Sequence, residues 1–215
     1  MAAEQYRMIR AKLTRLKAER PLTTVAVTSA MVGEGKSTTS ANLAHVLAQS
    51  IGQRVVLVDC DLRRPALHRV FGCPMGPGLA AVLRDARALD EVLIPLNGQW
   101  WLLSSGPLPV NPTELLGSEA MDRLLEQLRS RFDFVVLDVP PVLPVADPFV
   151  LGCKADGIIF VVRAGHTPRE VVAMALDNLP RDRVIGAILN GVERDDSPYQ
   201  RYAYAQYSRA YLSQG

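Results

Sequence analysis

The sequence predicts an α/β domain whose mostly parallel sheet is covered by helices on both faces. Several runs of β-branched and apolar residues have no polar interruption, which is the pattern of strands buried on both sides. These runs alternate with stretches of helical spacing. A glycine-rich turn also stands where the first such run passes into a helix. At 215 residues, 48% of them apolar, the chain is long enough for one such domain, and no second one is visible.

The elements follow in order. "MAAEQYRMIRAKLTRLKAER" carries six basic residues against Glu4 and Glu19, and Tyr6, Ile9, Leu13 and Leu16 recur at helical spacing. It predicts a basic amphipathic helix over 1–20 that packs one stripe on the domain, contacts another copy or lies near anionic lipid. After Arg20-Pro21, "TTVAVTSA" is a buried strand, "MVGEGKS" a turn, and "STTSANLAHVLAQ" a helix running to Gly52. "RVVLVDCD" is a second strand ending in acids. "ALHRVF" and "GLAAVLRD" predict short helices, and "QWWLLSSG" a strand. "NPTELLGSEAMDRLLEQLRSRF" predicts one helix, with Asn111 as cap, Pro112 at the first helical position and Glu114 completing a capping box. "DFVVLDVPP", "DGIIFVVRA" and "RVIGAILNG" are continuous apolar strands, the last two separated by the helix "PREVVAMALDNL". The domain is expected to close near residue 195, leaving 196–215 as a flexible tail rich in tyrosine.

Composition excludes several classes. The net charge of +2 gives no electrostatic ground for nucleic-acid binding. The apolar runs are too short and too interrupted to span a bilayer, and no signal-peptide pattern opens the chain. Cys60, Cys73 and Cys153 are far apart and form no Cys-x-x-Cys pair, so they read as reduced thiols in a cytosolic protein. His45, His68 and His166 are isolated and read as structural; Trp100 and Trp101 read as core or interface.

Two constellations carry chemistry. "GEGKST", Gly33 to Thr38, sits between a strand and a helix. Glycines there admit phosphates close to the backbone, the helix start presents free N–H groups, Lys36 reaches the outer phosphates, and Ser37 offers a hydroxyl to Mg²⁺. Gly33, Glu34, Gly35, Lys36, Ser37 and Thr38 are therefore the expected nucleotide-binding residues. Ala30 replaces the first glycine of the strict phosphate-loop pattern. In "VVLVDCDLRRP", Asp59 and Asp61 fall at a strand's C-terminal end with side chains on one side and Cys60 on the other. They could hold a metal through water, divide the work of base and metal ligand, or merely cap the next turn. "VVLDVPP" repeats the arrangement with Asp138, as a Walker B aspartate would. These acids with Lys36 and Ser37 point to phosphoryl transfer from ATP with Mg²⁺.

On these motifs the sequence resembles the bacterial tyrosine autokinases of capsular and exopolysaccharide biosynthesis, which carry a P-loop NTPase fold. The resemblance runs almost end to end. "EQYRMIR" is similar to their Glu-x-x-Arg-x-x-Arg motif (Glu4, Arg7, Arg10), "GEGKST" to their Walker A and "VDCDLRRP" to their second acidic motif. "SSGPLPVNPTELL" matches a connector and "LDVPP" their Walker B. Ala30, Met31 and Val32 stand where many relatives have a proline in the loop, and Val139 where threonine is common. The resemblance implies subunit contacts through Glu4, Arg7 and Arg10, Asp59 as the base, Asp61 and Asp138 with Ser37 organising Mg²⁺, and Asn190 against the adenine. A turn-forming Asn before Gly191 is the plainer reading of that last residue. It further implies a transmembrane polysaccharide co-polymerase as activator, fused or separate, homo-oligomers, an opposing phosphotyrosine phosphatase, and a place at the inner face of the plasma membrane.

The resemblance also accounts for the C-terminus. Tyr199, Tyr202, Tyr204, Tyr207 and Tyr211 crowd "SPYQRYAYAQYSRAYLSQG". The last three also have the spacing of a terminal helix, but the resemblance makes all five autophosphorylation sites. Two other classes stand beside it. Partition and septum-positioning ATPases share the fold but carry an extra lysine where Met31 stands, and they lack the tail. A catalytically silent nucleotide-binding regulator would use the tyrosines only for docking.

Overall fold

The computed structural model describes residues 2–85 and 87–192. Seven strands form one sheet in the order β3-β4-β2-β5-β1-β6-β7. They are β1 Thr24–Ser29, β2 Val55–Asp59, β3 Ile94–Asn97, β4 Trp100–Leu103, β5 Phe134–Asp138, β6 Gly157–Arg163 and β7 Val184–Asn190. Every pairing is parallel except β3 with β4, which forms an antiparallel edge hairpin.

The helices are α1 Ala2–Glu19, α2 Lys36–Ala48, α3 Leu67–Val70, α4 Gly78–Asp85, α5 Leu89–Val92, α6 Pro112–Gly117, α7 Glu119–Arg131, α8 Asp147–Lys154 and α9 Arg169–Asp177. They cover both faces because alternate strand residues feed two cores. Val56, Val58, Val135, Leu137 and Phe160 pack under α4, α7, α8 and α9. Val25, Val27, Val55, Leu57, Phe134 and Val136 pack under α2, with Leu13 of α1 joining from outside. Trp100 is buried against Phe71 and His45, and Trp101 stacks edge-on to Phe132, so both tryptophans serve the core.

The structure corrects three expectations. The helix read as continuous from Asn111 to Phe132 is two, α6 and α7, because Ser118 adopts extended backbone and its hydroxyl accepts from Met121 N–H to cap the second. Asn111 makes no side-chain cap; its amide donates instead to Glu114 Oε2 at 2.9 Å, so the capping box does not form. β7 is an edge strand with Gly186, Ala187 and Leu189 exposed rather than a buried one. Three elements were also unforeseen: β3, α5 and α8.

β1 lies near the middle of the sheet. The chain leaves it to build β2 on one side and crosses from β5 to β6 on the other, which puts a topological switch at the carboxyl ends of β1, β2 and β5. Asp59 and Asp138 are direct register partners at those ends, with Asp138 also opposite Val27. The tyrosines at 199, 202, 204, 207 and 211 lie outside the described residues.

Candidate active site

The loop from Met31 to Lys36 connects β1 to α2. Gly33 (φ 87°) and Gly35 (φ 93°) both adopt left-handed backbone, turning peptide N–H groups inward at the start of α2. A Cβ on Gly35 would lie 2.0 Å from Asn190 Nδ2, so no side chain fits there. Behind the loop, Glu34 is fully buried. Its carboxylate accepts Met31 N–H at 2.5 Å, Arg163 N–H at 3.5 Å and the Thr167 hydroxyl. Asn190 Nδ2 donates to the Glu34 carbonyl at 2.9 Å. The Glu34 side chain thus anchors the loop to the end of β6 and to Thr167 after it, while its backbone carbonyl ties the loop to the end of β7.

Lys36 points along the loop toward the acids. Its Nζ is 2.8 Å from Asp61 Oδ2 and 3.9 Å from Asp138 Oδ1. Burial works against its charge, but Asp138 and Asp61 outweigh that and hold its ammonium above the ordinary lysine value. Asp138 is fully buried; Ser40 Oγ donates to its Oδ1 at 3.1 Å, while Oδ2 has no partner. Burial raises its carboxyl above the usual range although Lys36 opposes the shift.

Asp59 is fully buried as well. Its Oδ2 accepts Ala66 N–H at 3.1 Å and Leu67 N–H at 3.0 Å, and its Oδ1 accepts Asp61 N–H at 3.2 Å. Burial, then the neighbouring Asp138 charge, push its carboxyl up to about 7 against these bonds. Cys60, between the two acids, is buried on the opposite side with its thiol pushed up by burial, so it is unreactive.

A cavity of about 560 Å³ opens over these groups, lined by Gly33, Gly35, Lys36, Ser37, Thr38 and Asp61 and by Pro140 and Pro141 after β5. That volume lies in the range of small-molecule sites. Its other wall was not read from the sequence: Arg63, Arg64 and Arg69. Arg63 is fixed by Asp147, with Nε 2.9 Å from Oδ2 and Nη2 3.3 Å from Oδ1, and by Thr113 Oγ1 at 2.8 Å. Arg64 N–H holds Asp61 Oδ1 at 2.9 Å. The available signal was the "LRRP" directly after the acid pair.

The donor set fits a hard divalent cation. Ser37, Asp61 and Asp138 offer only oxygens, and Asp138 Oδ2 is a buried acceptor without a hydrogen-bond partner among the described residues. Among the described residues no group of three or more His, Cys, Asp or Glu forms a metal cage. Magnesium needs none, since it takes one or two carboxylates and completes its shell with water and phosphate. Away from the cavity, Glu4 and Arg7 form an exposed ion pair at 2.8 Å, whereas Arg10 turns inward and donates to the Val46 carbonyl at 3.0 Å.

Comparison with known proteins agrees with this geometry. Residues 22–174 match the family described as AAA domain. Tyrosine-protein kinase YwqD of Bacillus subtilis is 40% identical over 205 residues, covering 94% of this chain and 85% of that protein. Tyrosine-protein kinase etk of Escherichia coli is 33% identical over 204 residues, but the chain spans only 28% of it. Among solved structures, the kinase domain of E. coli tyrosine kinase ETK superposes with a TM-score of 0.86 at 33% identity, covering 91% of this chain and 78% of that one. The septum site-determining protein MinD from Pyrococcus horikoshii, complexed with Mg-ADP, shares the fold at a TM-score of 0.67 and 21% identity, over 84% of this chain and 76% of that one. Among the described residues no helix is long and apolar enough to cross a membrane.

Proposed function

The chain belongs to the bacterial tyrosine-protein kinases with an AAA domain, and from that premise we propose that it transfers the γ-phosphoryl group of ATP to tyrosines of its own C-terminal cluster on a neighbouring copy. One observation carries the proposal: at the floor of a cavity rimmed by the glycine loop, Lys36 Nζ lies 2.8 Å from Asp61 and 3.9 Å from Asp138, which is buried just beneath.

The roles follow from placement. The inward N–H groups around Gly33, Gly35 and Ser37 bind phosphate oxygens. Lys36 exchanges Asp61 for the β- and γ-phosphates and stabilises the charge that builds on them. Ser37, Asp61 and Asp138 would hold Mg²⁺ and its waters. When bound, that ion neutralises phosphate charge and aligns the transferred group. The tyrosine Oη forms a bond to the γ-phosphorus as the bond from phosphorus to the ADP oxygen breaks, and the phenolic proton passes to a carboxylate. A carboxyl near 7 suits that task at neutral pH, which favours Asp59. A second assignment, Asp61, is favoured by the fact that of the two only Asp61 lines the cavity. Asn190, beside the loop, closes the adenine end.

The same reading extends to partners. Glu4, Arg7 and Arg10 would join copies of the chain. A transmembrane polysaccharide co-polymerase, fused or separate, would activate it at the inner face of the plasma membrane, and a phosphotyrosine phosphatase would reverse it. Support for both fused and separate forms comes from coverage: the chain spans 85% of YwqD but about a quarter of several other relatives. Each phosphotyrosine adds about −1.5 to −2 charges, so a heavily modified tail repels itself and disfavours association. Light scattering that finds one mass in both states would remove this last element.

The test is the intact mass of the protein after incubation with Mg²⁺ and ATP, with a Lys36→Met control and peptide mapping. Phosphate on Tyr199 to Tyr211, absent from the control, is expected. ATP consumed over an unmodified tail would point instead to a partition-type ATPase. A chain that stays inert even with the activator's cytoplasmic segment would be a silent regulator.

A further inference from the structure

We propose that Arg64 and Arg69 form an acceptor subsite that reads acidic residues ahead of the target tyrosine, and that its occupant is the segment Glu193–Tyr199 of a second copy. The inference rests on the kinase reading above and adds to it a rule for which tyrosine is taken first.

The structural half of the argument is the charge left over on the cavity wall. Three arginines line it, and all three are exposed. Arg63 is neutralised by the fully buried Asp147 in a two-pronged ion pair. Arg64 and Arg69 have no carboxylate within ion-pair distance among the described residues, and their hydrogen bonds there run through backbone atoms rather than the guanidiniums. Asp61, the acid beside them in the cavity, is already bonded to Lys36 and to the Arg64 peptide. Two guanidiniums therefore face the opening unpaired, next to the place where the phosphate is transferred.

The sequence half is the uneven charge of the tail. Asp195 and Asp196 stand four and three residues before Tyr199, with Glu193 two further back and Arg194 between, which leaves the stretch a net −2 ahead of that tyrosine. None of the other four tyrosines has an acid within four positions before it, and Arg201 and Arg209 lie among them. In extended chain, three to four residues span roughly 10–13 Å, a reach suited to two cations flanking a small cavity. Electrostatic complementarity then selects Tyr199, while the arginines nearer the other tyrosines meet like charge. Phosphate placed on Tyr199 supplies a new anion three residues before Tyr202, so the same two cations extend the order toward the C-terminus.

The experiment uses the full chain as enzyme and an isotope-labelled full chain carrying Lys36→Met as acceptor. Initial phosphate incorporation at each acceptor tyrosine is followed by mass spectrometry over a range of acceptor concentrations. With the natural tail, Tyr199 is expected first. Asp195→Lys with Asp196→Lys in the acceptor is expected to raise the KM for Tyr199 roughly threefold to tenfold, the range for two exposed ion pairs. Arg64→Glu with Arg69→Glu in the enzyme raises it similarly, and combining the two charge reversals restores it. Rescue of this kind separates recognition from a folding defect, and high salt should flatten all the differences. A loss that the reversed acceptor does not rescue, an equal loss at Tyr211, or an equal fall in affinity for fluorescent ADP would overturn the subsite. A natural enzyme that modifies no tyrosine at all would overturn the kinase reading first, a result distinct from phosphorylation without preference.

Discussion

Lys36 and Asp61 hold each other across the cavity floor, Nζ to Oδ2 at 2.8 Å, with both side chains nearly buried. The cation meant for phosphate is thus pre-aimed by the acid at its side. Asp61→Asn should lower phosphate incorporation by at least about 100-fold through lost alignment of charge at the transferred group. It should leave the fold intact, checked by circular dichroism beside the kinase assay. Lys36→Met should reduce the rate further while leaving Asp61 and Asp138 to face each other unpaired.

Asp59 makes the protein's stability depend on pH with a definite sign. Its folded carboxyl titrates near 7 against an ordinary value of 3.8. The folded state therefore holds the proton more tightly, and stability present below about 4 is lost as pH rises to 7. The nucleotide-free protein should melt roughly 5 °C lower at pH 8 than at pH 5. Asp59→Asn should remove most of that difference in a pair of calorimetric scans.

If Asp59 is also the proton acceptor, the rate should climb with pH through about 7 and then level. Asp59→Asn would abolish the climb along with most of the rate. A profile that survives in Asp59→Asn and disappears in Asp61→Asn would transfer the role to Asp61.

Glu34 anchors the phosphate loop by three bonds to its carboxylate. Glu34→Ala leaves buried donors unpaired and should cost about 1–3 kcal/mol in chemical denaturation, with weaker binding of ADP. Glu34→Gln keeps one acceptor and should fall between the two.

Gly35→Ala should be worse for the nucleotide than for the fold. The added carbon meets Asn190 Nδ2 at 2.0 Å, and the residue must still keep φ near 93°. Adding Asn190→Ala removes the clash but not the backbone strain, so ADP affinity measured by titration should recover only in part.

Much of this was legible in the sequence because periodicity and strand-end acids obey local rules. The alternation in "VVLVD" and "FVVLD" puts Asp59 and Asp138 at the carboxyl edge, and the register makes them partners. Lys36 and Ser37 follow from the glycine turn. What escaped depended on tertiary contact or on weaker signals. The Arg63 clamp needs Thr113 and Asp147, which come from distant helices. The hairpin of β3 and β4 turns through Gly98-Gln99, where Gly98 takes the left-handed backbone (φ 63°) of a tight hairpin turn, a signal that the short, half-buried β3 obscured. The break at Ser118 was hidden because serine is tolerable inside a helix and decisive only as a cap. β7 misled in the other direction: its run is apolar, but among the described residues it is last in the sheet and has a neighbour on one side alone.

Asn190 has a second consequence, because it ends β7 and the remaining residues of the chain depart from it. Its amide bonds the Glu34 carbonyl in the phosphate loop at 2.9 Å. The acceptor segment is therefore leashed to the donor's cradle, and Tyr199 can travel at most about 30 Å from it. Every copy therefore carries its own acceptor segment within that reach, as a competitor already present at the site. A neighbour's tail gains access only by outbidding that competitor, so crowding of copies, more than affinity for a free peptide, sets how fast the mark spreads.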